Sequence, residues 1–373
     1  MYVRSVDEMT LNFDDLEPWR SIERVNLSDD GEILARFGDS DYRDDGSNGQ
    51  VMVRIPKFYY RAEHTSRSHG YYISPYRLSG YKVSRAHLRN GKVVDEVFVG
   101  AYEGCAYDVS EGAYLLNDEA GVDFNADMLS SIAGAKPISG ANNNLTIDNA
   151  RRLANNRGPG WGLLDFHTVS MIQMLLLVEY ATFNSQLVIG RGIVDISDDG
   201  STNMAMPTGQ TADLGNASGS ATGNVHPVTG QPANSVSYRG IENLWGNLFQ
   251  FVDGINIRNR RVWIADHGFQ SGLFGPPYED SGYTLPDADG FVTDIQSGNP
   301  DLDHAFLPSE VGGSSSSGLC DYYYQRSGNT IAMLGGKWAS GSQAGAWYWH
   351  MGAYATSVNQ DIGARLLYME GSD

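Results

Sequence analysis

Glycine occupies 44 of the 373 positions, and that density restricts the chain to short regular segments joined by many turns. Glycine reaches left-handed backbone angles without strain but loses the most entropy when held inside a helix or strand. Long helices are therefore disfavoured. The 21 tyrosines point the same way, because Tyr suits half-buried strands and contact surfaces. A loop-rich, β-leaning chain with few long helices is expected.

From Val51, "VMVRIPKFYYRAE" alternates apolar and polar positions, and "GYYISPYRL" and "EVFVGAYEG" follow at strand-like lengths. Thr146 can cap "IDNARRLANN". Asp165 can cap "FHTVSMIQMLLLVEYATF", whose apolar positions cover nearly every face, the pattern of a buried helix. Strands with two packed helices make an α+β class. Residues 1–50 mix acidic patches with short apolar pieces and close on "DSDYRDDGSNG". They read as a small N-terminal adaptor for attachment or assembly, ahead of one domain over 51–373. Residues 197–235, centred on "GNASGSATGN", are too poor in apolar groups to carry a core and read as a long surface loop. "SVSYRGIENLWGNLFQFVDGI" and "RRVWIAD" are strand-like again, and no tandem repeat is found.

With 41% hydrophobic residues the chain can fill a proper core. Its net charge of −19 opposes phosphate backbones and anionic lipid, so neither nucleic acid nor membrane insertion is expected. The start carries no basic region followed by an apolar run, so no signal peptide is read there. Cys105 and Cys320 allow one bridge or two buried thiols, and buried thiols are the expectation. Phosphate loops, zincin motifs, Cys-x-x-Cys pairs and nucleophile elbows do not occur. His167 reads as a polar cap or surface residue. "DISDDGS" at 195–201 lacks the spacing of a calcium loop and reads as solvated acidic chain. No cofactor or catalytic metal is expected, and a structural calcium ion is left open.

Between Gly335 and Arg365 the chain sets Trp338, Trp347, Trp349, Tyr348 and Tyr354 among Ala, Ser, Gly and Asn. Rings give large contact area at low entropy cost, and small polar residues adapt their contacts, the mixture found in antibody binding loops. A division of labour is expected, with Trp338 and Trp349 buried to hold the segment and Tyr348 and Tyr354 exposed to bind.

Three segments in order now carry a resemblance. "YRGIENLWGNLFQFVDG" resembles the GN-V-W-E-W signature of the C-type lectin fold of the formylglycine-generating-enzyme type. "LGGKW" is similar to its R-G-G-S-W, and "IGARLL" to its terminal G-F-R-L. The aromatic and small-residue interval between the last two resembles the variable region of diversity-generating-retroelement proteins, a group that includes bacteriophage tropism determinants. "VMVRIPKFYYRAE", "VFVGAYEG" and "LLLVEYATFNSQ" look like phage tail proteins carrying this region. The resemblance implies a scaffold of Trp245, Gly246, Asn247, Gly335, Gly336, Trp338, Gly363 and Arg365, with Arg365 anchoring the last strand. The enzyme branch needs two reactive cysteines after its G-G-S-W motif, and no Cys follows Trp338. Its iron-binding relatives need a His-x-x-x-His-x-Glu set, which is absent.

Retroelement mutagenesis changes adenines, so Asn-type AAY codons scatter to residues such as Tyr, His, Ser, Ala, Gly, Thr and Asp, and never to Trp, Met, Gln, Lys or Glu. On that basis the resemblance implies a ligand-binding surface of Asp321, Tyr322, Ala339, Ser340, Ala346, Tyr348, His350, Gly352, Ala353, Tyr354, Thr356, Asn359 and Asp361, within a variable region at about 320–365. Trp347, unreachable from such a codon, is counted with this surface as a fixed ring. The implied function is non-enzymatic binding of a host cell-surface protein or glycan from a virion tail tip or fibre, among other virion tail proteins, with cell-surface display as a variant. A homo-oligomer is left open. The rivals are an enzyme on the same fold and a purely structural tail protein, which requires a buried aromatic cluster.

Overall fold

The computed structural model describes residues 11–65, 68–197, 200 and 202–371. The chain is β-dominated and rich in loops. Among the described residues the α-helices are Ile147–Asn155, Phe166–Tyr180 and the single turn Ser185–Val188, a small share beside the sheets. No helix there is long and apolar enough to cross a membrane.

Both longer helices begin at the expected caps. Thr146 Oγ1 accepts the Asn149 N–H at 3.2 Å, and Asp165 Oδ1 accepts the Thr168 N–H at 2.8 Å, satisfying donors a helix start leaves unpaired. The second helix is buried on all sides from Phe166 to Leu177. His167 is therefore no surface residue: its Nδ1 lies 3.0 Å from His304 Nε2 in the core. Burial holds both imidazoles well below their usual range, so both are neutral.

Two large sheets flank the core. The first is antiparallel, in the order Trp161–Leu163, Leu366–Tyr368, Glu96–Gly100, Gln50–Pro56, Glu23–Leu27, Ile33–Arg36. Residues 23–36, inside the segment expected to be an adaptor, thus supply two of its strands, and the wholly buried Val25 and Leu27 join the core. Trp19 donates its indole N–H to the Leu175 carbonyl of the long helix (3.3 Å). Apolar side chains at these positions have no other place to leave water, so residues 11–50 share the core of the rest.

The second sheet runs Glu279–Thr284, Arg261–Ile264, Phe249–Arg258, Asn329–Leu334, Trp349–Ala353, Tyr322–Gln325, Gly290–Ile295, Pro308–Val311, and Ile362–Gly363 pairs in parallel with the start of the third of these. Strand alternation divides its side chains. Trp349, Met351, Tyr323 and Leu334 enter the main core with the long helix, while Phe249, Met333, His350, Tyr322 and Tyr324 take the other face.

Residues 197–235 are less of a surface loop than expected. Met204, Ala205, Thr208, Thr211 and Ala233 are buried, because the backbone N–H groups of Met206, Gly209 and Thr211 donate to Asn247 and Glu242. The acidic stretch at 195–201 includes Asp198, Asp199 and Ser201, which lie outside the described residues. Both cysteines are free; Cys105 is buried and Cys320 only half-buried.

Candidate functional site

The eight residues expected as scaffold converge on one buried knot. Gly246 (φ +78°) and Asn247 (φ +59°) turn the chain left-handed, and a Cβ on Gly246 would stand 2.7 Å from the Ile193 carbonyl. Trp338 donates its backbone N–H to the Asn247 carbonyl at 3.0 Å. Gly335 (φ +92°) passes so close to the Leu244 carbonyl that a Cβ would lie 2.6 Å away. Trp245, Trp338 and Arg365 are fully buried. Gly336 and Gly363 each face a neighbour within 2.9 Å of where a Cβ would sit.

Glu103 sits at the centre, accepting from Asn247 Nδ2 (2.6 Å), Asn243 Nδ2 (3.2 Å) and the Leu248 N–H (3.2 Å). Burial pushes its carboxyl up to about 7, against the pull of Arg365 and the two Asn donors. Arg365 closes the knot, donating to Gln250 Oε1 and to the carbonyls of Gly100, Glu242 and Asn243 at 2.6–3.1 Å.

On the sheet face away from the main core, a cleft of about 200 Å³ opens beside the knot. Tyr324 and His350 are directly opposed across paired strands, with ring centroids 4.6 Å apart and 33° between planes. Phe249 meets the His350 ring edge-on at 5.3 Å. At the rim Arg326 donates to the Tyr324 hydroxyl (3.0 Å) and lies 5.8 Å over the Tyr354 ring. Asn359 and Asp361 line the cleft from a neighbouring turn, where Asp361 pairs with Lys337 Nζ at 2.7 Å. The cleft joins ring surface, two amphipathic tips and a few polar groups, a composition suited to binding.

No family model and no curated protein sequence matches the chain. Similar solved structures include the Major Tropism Determinant U1 and P3c variants. Each is 12% identical with a TM-score of 0.31 over 93% of this chain and 71% of theirs. PvdO from Pseudomonas aeruginosa is also similar, at 10% identity and a TM-score of 0.29, over 88% of this chain and 97% of its own. These likenesses are slight.

Of the residues expected to bind, His350, Gly352, Ala353, Tyr354, Asn359 and Asp361 line the cleft. Tyr322 is half-buried beside it, its ring 6.1 Å from Tyr348. Thr356 is exposed near the rim, and Ala339 and Ser340 occupy a separate turn. The rest are core. Trp347 is fully buried, edge-on to Phe183 at 5.0 Å, and Ala346 is buried beside it. Tyr348, expected to be exposed, is 5% exposed under Phe249 and Tyr322. Asp321 is buried, accepts the Trp347 N–H at 2.8 Å, and is pushed well above the usual carboxylate range by burial. Its carboxylate fills the space a Cβ on Gly345 would need, 2.1 Å away. In this conformation none of these four can touch a ligand.

Tyr324 and Arg326 were missed. Tyr324 had a local signal: it stands two residues after Tyr322 on one strand and so shares its face. Gly352 proves coupled to it, since a Cβ there would lie 2.6 Å from the Tyr324 ring. Any side chain at 352 therefore requires Tyr324 to swing.

Burial, with Arg326 nearby, pushes His350 down to about 4. The imidazole should stay neutral from pH 8 to about 5, and its NMR titration midpoint should fall near 4. Because the unfolded ring titrates near 6.5, His350 withdraws stability as pH drops below 6.5 and stops doing so near 4. A midpoint at 6 or above would show the ring to be open to solvent.

Proposed function

We propose that the chain is a non-enzymatic receptor-binding protein on an α+β C-type lectin fold of the formylglycine-generating-enzyme type, carried at a virion tail tip or fibre and diversified by a retroelement. One observation carries this reading. The codon-reachable residues His350, Tyr354, Asn359 and Asp361 all line a single cleft, completed by Phe249, Tyr324 and Arg326 from earlier in the chain. Beneath it the Trp245, Asn247 and Arg365 knot provides a frame independent of those side chains. Surface substitutions outside caps and cores change stability by only about 0.5 kcal/mol, so such a rim can vary while the fold persists. The ligand is a host cell-surface protein or glycan, engaged by rings and small polar groups and strengthened by many copies per particle.

Sequencing the codons for residues 321–365 in the source population, with the adjoining DNA, tests this. Variation should fall at template adenines encoding the cleft rim and should spare Trp338, Trp347, Trp349 and Arg365. A second reading, a purely structural tail protein, is favoured by the burial of Trp338, Trp347, Tyr348 and Trp349 together. It requires an invariant segment with no template nearby.

A further inference from the structure

The cleft carries charge and hydrogen-bonding groups that the protein itself leaves unused. Arg326 is exposed and, among the described residues, forms no ion pair; its guanidinium touches two phenols, donating to the Tyr324 hydroxyl (3.0 Å) and lying 5.8 Å over the Tyr354 ring. Its charge is uncompensated. The acid in the lining is already matched, because Asp361 accepts from Lys337 Nζ through Oδ2 at 2.7 Å. Among the described residues, Asp361 Oδ1 and the side-chain amide of Asn359 have no hydrogen-bond partner.

A cavity of roughly 150 Å³ holds a benzene ring, so the space of about 200 Å³ here takes one six-membered ring with its substituents. The lining joins the buried Phe249, Met333 and Ile362 to the rings of Tyr324, His350 and Tyr354. A purely apolar ring would suit these six but leave Arg326, Asn359 and Asp361 without polar partners, which weakens binding. A pyranose meets both demands. Its C–H face, slightly positive, lies on the negative face of an aromatic ring, and each of its hydroxyls can donate to a carboxylate and accept from an amide. A carboxylate on the same ring supplies the anion that Arg326 lacks.

We propose that the cleft binds an acidic sugar residue, with the ring carboxylate on Arg326 and neighbouring hydroxyls on Asn359 and Asp361. This rests on the reading of the cleft as the receptor contact. An acidic peptide side chain offers the carboxylate but no hydroxyl pair. The net charge of −19 opposes the contact little at physiological ionic strength, where fields are screened beyond about 8 Å. Tyr354, Asn359 and Asp361 are counted among the diversified positions, so this preference belongs to the present sequence rather than to every version of the chain.

The test titrates the full chain with methyl glucuronide and with methyl glucoside, which differ only by a carboxylate in place of a hydroxymethyl group, and follows the His350 imidazole by NMR at constant ionic strength. A single small ring should bind in about the millimolar range. The glucuronide should bind at least about threefold tighter, the gain of one solvent-exposed charged contact. Arg326→Gln should erase that preference and leave the glucoside affinity unchanged, whereas Asn359→Ala should weaken both sugars; both side chains are exposed, so the melting temperature should hold. N-acetylglutamate, a carboxylate without ring hydroxyls, should bind more weakly than the glucuronide. Equal affinity for the two sugars, a preference that survives Arg326→Gln, N-acetylglutamate binding as tightly as the glucuronide, or no shift of the imidazole with any probe overturns the proposal. If it falls while Tyr354→Ala still abolishes attachment to cells, the receptor reading stands without the acidic sugar; if attachment is also unaffected, both fall.

Discussion

Arg365→Ala should leave the chain largely unfolded at neutral pH, the largest loss expected from any single exposed-or-buried side chain named above. Arg365 is fully buried and ties Gly100, Glu242, Asn243 and Gln250 together through four hydrogen bonds. Removing one member of a buried charge constellation typically costs about 3–5 kcal/mol, and each stranded carbonyl adds about 1–3 kcal/mol. A domain has only about 5–15 kcal/mol to lose. Arg365→Lys keeps a charge but not the planar fork, and should fall between wild type and alanine in urea denaturation.

The loss should also depend on pH. The folded Glu103 carboxyl titrates at about 7 against 4.5 for the ordinary group, so the fold gains stability as pH falls from 7 towards 4.5 and loses it as pH rises. At pH 8 Glu103 is ionised and relies on Arg365; at pH 5.5 it is mostly protonated and relies on it less. The cost of Arg365→Ala, or of Arg365→Lys if alanine does not fold, should therefore be smaller at pH 5.5 than at pH 8. Equal costs would mean that the hydrogen bonds alone matter.

The second contrast pits two tyrosines six positions apart. Tyr348→Ala should cost about 3–5 kcal/mol, as truncation of a buried ring does, because its ring packs edge-on to Phe249 at 5.5 Å and to Tyr322 at 6.1 Å. Tyr354→Ala, 41% exposed over the cleft, should change stability by no more than about 0.5 kcal/mol. Under the proposed function, its deficit appears instead as lost attachment to cells. A stable Tyr348→Ala protein with lost attachment would put that ring in the binding surface after all, and a Tyr354→Ala protein that attaches normally would move the contact away from the cleft.

Much of the architecture was legible because it is written locally. Thr146 and Asp165 announce their helices at the residue just before each begins, and the alternation in "VMVRIPKFYYRAE" becomes the strands Gln50–Pro56 and Tyr59–His64. The cleft was partly legible through codon chemistry, which picked His350, Tyr354, Asn359 and Asp361. The same chemistry cannot tell which face of the sheet a ring takes, so Tyr348 and Asp321 were placed outside when they belong within. Glu103 left no trace at all: it meets Asn247 across 144 positions, and no local pattern encodes such a meeting. The same holds for residues 23–36, whose sheet partners lie downstream.

The strand Leu366–Tyr368 is held between Glu96–Gly100 and Trp161–Leu163. During synthesis that slot must stay open until residues 366–368 are available, after the whole cleft-lining stretch 349–362 has been made. A chain cut short or shifted in frame within that stretch is therefore left with an unfilled sheet and bare strand edges, the kind of species that proteases and chaperones remove. Folding itself thereby proofreads the cleft, since the closing strand is supplied only by a chain that has been translated through it.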